Sequence, residues 1–184
     1  EEQFYFFWPL LLWLAHKKRF NLFIVGLLIA SVSFCFNIYL IRSDPTATFY
    51  YPQTRFWEMM AGSMLAWVTL YRPGLSASGW SKYLVNAVSV LALSLIIYGF
   101  WHLDTHVGFP GKWALLPVTG AFLLIFAGPS ALVNRTLLSN RLVIWFGLIS
   151  YPLYLWHWPI LSFGRIITNG PPPFLFKLFA ILIS

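Results

Sequence analysis

The chain has 184 residues, of which 59% are hydrophobic and only 9% charged, and its mean hydropathy is +0.73. Soluble domains carry roughly 25% charged residues, so this composition excludes an ordinary water-soluble domain and points to an integral membrane protein. The net charge of +7 does not argue for nucleic acid as a partner, because the basic residues lie in short connections between apolar runs, where membrane orientation accounts for them.

Aromatic residues make up 20% of the chain, and the 10 tryptophans suit rings lying at headgroup level. Cys35 is the lone cysteine, so no internal disulfide is available, and it reads as a small buried thiol within an apolar run. The chain opens at Glu1 without a methionine or a signal peptide and stops inside a hydrophobic run at Ile183-Ser184. It therefore reads as one domain, 1–184, truncated at both ends.

The first apolar run, Phe4 to Ala15, is followed at once by His16-Lys17-Lys18-Arg19. Twelve helical residues cover only about 18 Å of a roughly 30 Å hydrocarbon core, so either upstream residues complete the span or Glu1, Glu2 and Gln3 are drawn into the membrane boundary. Run two goes from Leu22 to Ile41 and holds Asn37. The prolines and small polar residues from Arg42 to Thr54 predict a loop. Run three, Arg55 to about Tyr71, carries Glu58 in its first turn. Gly62 and Ala66 have the spacing of a close helix contact.

Run four spans Tyr83 to Trp101, and the loop after it contains His102, Asp104 and His106. Two histidines and one acid in a wet loop are ordinarily unliganded, so no metal is expected there. Run five is Trp113 to Gly128, with Pro117 near its start. Run six is Leu142 to about Ser162, and a seventh begins at Phe174 after Gly170-Pro171-Pro172-Pro173. The predicted fold is all-α: a polytopic transmembrane bundle of about six complete helices plus a truncated seventh.

Counting Lys and Arg on alternate sides assigns orientation. Lys17, Lys18, Arg19, Arg72, Lys82, Arg135 and Arg141 fall on one side, with no acid among them. Arg42, Arg55, Lys112, Arg165 and Lys177 fall on the other, with Asp44 and Asp104. The first side is expected in the cytoplasm. Glu1, Asn37, Arg55, Glu58 and His157 are then delivered by separate helices to a similar depth near the outer face. Ionisable groups at that depth are costly and tend to be functional or paired. In run six, Gly147, Ser150, Tyr154 and His157 fall at i, i+3, i+7 and i+10 and make one polar stripe.

Four segments carry a resemblance. Glu1-Glu2-Gln3-Phe4-Tyr5 with Trp8-Pro9 resembles an S-x-x-E-x-x-F-Y-x-x-x-P segment. Thr54-Arg55-Phe56-Trp57-Glu58 with Gly62 is similar to a T-R-x-W-E-x-x-x-G helix. Phe109-Pro110-Gly111 with Leu115-Leu116-Pro117 matches a loop-and-helix pattern, and Gly147 to Pro159 is similar to G-x-x-S-Y-x-L-Y-L-W-H-W-P. In this order they resemble the acyltransferase-three family of membrane acyltransferases, especially bacterial O-acetyltransferases of O-antigen or peptidoglycan. Pro152 departs from the usual serine or leucine at its position.

The resemblance implies transfer of an acyl group, usually acetyl from cytoplasmic acetyl-CoA as co-substrate, to a hydroxyl of an envelope glycan. No metal or prosthetic group is implied. The expected setting is the bacterial inner membrane, multi-pass among lipids, with upstream transmembrane helices and in some members a further SGNH-type extracytoplasmic domain. The family's histidine and R-x-x-R elements are expected upstream of Glu1, so this segment alone is expected to be inactive. Glu1, Glu58 and His157 are the candidates for catalysis, and Arg55, Tyr154, Ser150 and Tyr5 for substrate binding. The competing reading is a transporter or exporter of a glycan or small polar solute.

Overall fold

The computed structural model describes residues 2–75, 77–102 and 110–168, together with positions 170, 173 and 176. Among the described residues the structure is helical: α1 (Glu2–Lys17), α2 (Leu22–Leu40), α3 (Pro45–Tyr50), α4 (Pro52–Tyr71), α5 (Lys82–His102), α6 (Leu115–Ala127) and α7 (Arg141–Thr168), with short 3-10 and π turns between some of them. The chain divides into two compact units, Glu1–Asn134 and Arg135–Ser184. The first holds α1 to α6 and the second holds α7.

All six complete apolar runs are helical, but among the described residues only α2 and α5 are individually long and apolar enough to cross a membrane. The helix of α4 begins with polar residues that include Arg55 and Glu58. The apolar helical stretch Gly111–Ala127 is shorter than a full span. The run expected from Phe174 lies almost wholly outside the described residues. In α2 and α5 only 17% and 22% of the most apolar window is buried. A core helix of a soluble protein would instead be buried over most of its surface, so these faces require a lipid-like or protein environment.

The turn joining α1 to α2 is built from local hydrogen bonds. Phe20 N–H donates to Ala15 O at 2.9 Å and Arg19 N–H to His16 O at 3.0 Å, the paired bonds of a Schellman cap. Arg19 has φ 56°, a left-handed conformation in which glycine is the usual occupant. Asn21 Oδ1 then accepts from Phe23 N–H at 3.0 Å and caps α2.

The segment predicted as a loop contains α3. Asp44 Oδ1 accepts from Ala47 N–H at 2.9 Å, and Pro45 occupies the first helical turn, where its missing N–H costs nothing.

Residue pairings set the helix directions within the first unit. Along α2 and α4, Phe23 meets Trp67, Gly26 faces Met64, Ser33 reaches Trp57 and Asn37 reaches Thr54, so the two are antiparallel. Phe4 packs on Phe56 with ring centroids 5.6 Å apart. Further along α1, Trp8 and Leu12 line the same recess as Met64 and Trp67, so α1 runs parallel to α4. Gly99 lies against Leu116 and Pro117, and Gly120 lies against Ile96 and Ala92, which makes α5 and α6 antiparallel.

Two sequence readings are corrected here. Gly62 is not a close contact, because a Cβ there would meet nothing within 4 Å. The close approach is at Gly120, where a Cβ would fall 2.5 Å from Ile96 Cγ1 and 2.8 Å from Ala92 O. Cys35 is exposed rather than buried. The buried face of α2 carries Gly26, Ser33 and Asn37, and helical phase turns position 35 to the opposite side.

Asn134 Nδ2 donates to Leu124 O and Gly128 O, both at 2.8 Å, capping the end of α6. Asn86 Oδ1 and Ser89 Oγ on α5 accept from the N–H groups of Leu132 and Val133. The segment after α6 is thereby tied back to α5.

Replacing Gly120 by leucine should drive α5 and α6 apart and destabilise the protein by about 1–3 kcal/mol. Gly62→Ala, in open space inside a helix, should instead stabilise by up to about 1 kcal/mol. Thermal unfolding of the two variants in detergent checks both.

Candidate active site

The first turn of α4 has no side-chain cap of its own. Tyr51 precedes it, Pro52 opens it, and no side-chain cap bond forms. Its polar groups are met instead by α2 and α3. Ser33 Oγ donates to Gln53 O at 2.6 Å and accepts from Trp57 N–H at 3.1 Å. It thus bridges the two groups that an ideal helix joins directly. Asn37 Nδ2, one helical turn along α2, donates to Thr54 O at 3.1 Å.

Thr54 Oγ1 lies 2.6 Å from both Thr48 O and Tyr51 O, between which its single proton is shared. Thr48 Oγ1 donates to Asp44 O at 2.7 Å. Asn37, Thr48 and Thr54 are fully buried and Ser33 nearly so. Unsatisfied polar groups at such positions are expensive, and here most are paired. Asn37 Oδ1 and Trp57 Nε1 are buried without a hydrogen-bond partner.

On this support sit Arg55 and Glu58. Arg55 Nη2 and Nε donate to Glu58 Oε2 at 3.1 and 3.3 Å. The glutamate side chain is 18% exposed and the arginine 42%. The Arg55 guanidinium also lies over the Phe49 ring of α3, 5.4 Å from its centroid. Arg55 and Glu58, i, i+3 neighbours, thus form a partly buried ion pair held against α3.

Beside it an almost wholly apolar groove of about 480 Å³ runs between α2 and α4, walled in part by Val32, Ser33, Gln53 and Phe56.

The amino end of α1 arrives at the same end of the unit, since Phe4 packs on Phe56 next to Arg55. Tyr5 is exposed, with its ring edge-on to Phe4 at 5.9 Å. Glu1 lies outside the described residues. At the start of the α6 segment Gly111 has φ 35°, and a Cβ there would come 3.4 Å from Ile41 Cγ1, just past α2. His102 stacks on Tyr98, ring centroids 5.3 Å apart, and tilts toward Trp113 at 5.0 Å. Asp104 and His106 lie outside the described residues, and no metal-binding cluster occurs among those described.

The polar stripe of run six lies on α7, in the second unit. The helix continues through Pro152 and Pro159, each of which removes one backbone donor. Ser150 Oγ donates back to Gly147 O at 2.7 Å. Tyr154 is exposed, and its ring centroid is 6.0 Å from that of His157. His157 Nδ1 lies 2.8 Å from Leu153 O. A carbonyl only accepts, so Nδ1 carries the proton, and in the neutral ring Nε2 holds the lone pair.

Ser33 and Thr48 were not singled out from sequence. Ser33 and Asn37 at i, i+4 in a mostly apolar run were the available signal, because that spacing puts both on one helix face.

The model of the acyltransferase domain family matches residues 1–184. The chain belongs to this acyltransferase family. Across its full length it is 27% identical to the candidate peptidoglycan O-acetyltransferase YrhL of Bacillus subtilis, of which it covers 31%. Over 96% of its length it is 26% identical to the peptidoglycan O-acetyltransferase OatA of Listeria monocytogenes, covering 30% of that protein. Over 89% it is 27% identical to the candidate O-acetyltransferase SACOL0978 of Staphylococcus aureus, covering 28%. The chain thus spans about a third or less of these relatives' length. No solved structure matches it.

Among the family's motif residues, Thr54 is the one whose structural role is most direct. Thr54→Val keeps its volume but leaves Thr48 O without the hydroxyl donor. The expected cost is about 1–2 kcal/mol, measured as a lowered unfolding temperature of the purified protein.

Proposed function

We propose that the chain is part of a membrane-embedded O-acyltransferase that moves an acyl group, acetyl in the first instance, from cytoplasmic acyl-CoA to a hydroxyl of an envelope glycan such as peptidoglycan or O-antigen. The observation that carries this reading is the Arg55–Glu58 pair, partly buried and pinned by a buried polar network, in a chain matched throughout by an acyltransferase family. The glycan acceptor is supported by the names of the Bacillus and Listeria relatives.

In the transfer a base takes the acceptor hydroxyl's proton. The oxygen bonds to the acyl carbonyl carbon, the thioester C–S bond breaks, and the proton leaves with the coenzyme thiol. Such a reaction needs a positioned base and donors for the developing oxyanion. Glu58 is suited to orienting a base or holding an acceptor hydroxyl. Arg55 has N–H groups beyond those given to Glu58 with which to bind the sugar or the oxyanion. The base is assigned to a histidine of the upstream helices, and Glu1 and Tyr5 are assigned to the acceptor side. On α7, Ser150 and Tyr154 are assigned to substrate binding and His157 to catalysis.

The setting is the bacterial inner membrane. The α1, α2 and α4 directions support alternation across the bilayer, with the Arg55 end outside and the Lys17-Lys18-Arg19 turn in the cytoplasm. No metal or prosthetic group enters the scheme.

Acetyl-CoA turnover by the purified full-length protein, with and without glycan, tests the reading. Glu58→Ala and His157→Ala should each lower transfer at least about a hundredfold while leaving the helical content intact. Near-normal transfer removes the altered residue from the site. Glycan movement across vesicles without acetyl-CoA consumption would favour transport instead.

A further inference from the structure

The hydrogen bonds from α2 into α4 fall on two consecutive carbonyls, Gln53 O and Thr54 O, in the turn immediately before Arg55. Both donors are buried, and both come from one face of α2. The third contact, Trp57 N–H to Ser33 Oγ, lies immediately before Glu58. The Arg55–Glu58 pair is thus bracketed by bonds that fix the rotation of α4 about its axis. A hydroxyl bonded to both members of an i, i+4 pair ties α4 to α2 at one register, which a purely apolar contact would not do.

Neither residue reaches the ion pair itself. From this geometry we infer that Ser33 and Asn37 are positioning residues, which set where Arg55 and Glu58 stand relative to the glycan hydroxyl. The inference rests on the function proposed above for that pair. It gives these two polar groups of an apolar helix a task that helix association alone does not require. The tight pairing of α5 with α6 is made at Gly99 against Leu116 and Pro117 and at Gly120 against Ile96 and Ala92.

The test uses the full-length protein in native membranes or detergent. In Ser33→Ala, Gln53 O and Trp57 N–H keep each other as helical partners, so the helix persists while its tie to α2 is loosened. The KM for the glycan acceptor should rise about tenfold or more, with the KM for acetyl-CoA unchanged. Ser33→Thr, which restores a hydroxyl, should recover most of the loss. Ser94→Ala, whose hydroxyl bonds only to Val90 O of its own helix, serves as the unaffected control.

Because the effect acts through the pair, Ser33→Ala should add little in an Arg55→Ala background, a non-additivity that a double-mutant cycle reads directly. Equal losses in both backgrounds, or equal rises in both KM values, would overturn the inference. Normal transfer by Ser33→Ala beside a crippled Arg55→Ala would overturn it alone. Full transfer by Arg55→Ala would remove the pair from the site and the function proposed for it.

Discussion

The hydroxyl of Ser33 bonds both Gln53 O and Trp57 N–H, and the register of α2 against α4 depends on that pair of bonds. An apolar interface between two helices tolerates sliding by a residue or rotation by some tens of degrees, since one methyl contact replaces another. A hydroxyl that both donates and accepts within one turn of its neighbour has a single satisfying position. Asn37 repeats the constraint one turn further along, and Thr54 passes it to α3. In a low-dielectric setting each such bond is hard to give up, because water is not there to replace it. Other elements inherit the register: α1 through Phe4 on Phe56, and the start of the α6 segment through Gly111 on Ile41.

The order of helices was legible because length and apolarity alone mark such segments, and six runs read from hydrophobicity are helices. The ion pair was legible for a related reason, since i, i+3 spacing in an apolar run leaves Arg55 and Glu58 each other as nearest polar partners. What escaped depends on detail that hydropathy does not weigh. Asp44-Pro45 is a helix-start signal, yet α3 is six residues long and was absorbed into a loop. Ser33 reads as a tolerated small residue until its partners are known. Gly62 and Gly120 illustrate the same limit, because spacing shows where backbones can approach and only the partner helix decides where they do.

The remaining candidate residues divide between the units. Tyr5 belongs with the first, while Ser150, Tyr154 and His157 share α7 in the second. The stripe predicted on run six is present as a continuous helical feature, and its chemistry is more specific than its spacing implied. Ser150 spends its proton on its own backbone, which leaves its oxygen as an acceptor. The commitment of His157 Nδ1 to Leu153 O fixes the neutral tautomer and leaves Nε2 as the lone-pair nitrogen.

The α2–α3–α4 connection also bears on how the chain is made. The polar pins between α2 and α4 join residues no more than 24 positions apart, and those that build α3 are closer still. Contacts of such low sequence separation form early, because little chain entropy is lost in closing them. A hairpin of this kind can satisfy its buried polar groups as soon as its second helix emerges, before distant helices exist. Apart from the buried Asn37 Oδ1 and Trp57 Nε1, its polar cost is then settled locally, and later assembly needs to cover only apolar faces. A site whose geometry is set within one hairpin can keep that geometry while the surrounding bundle varies.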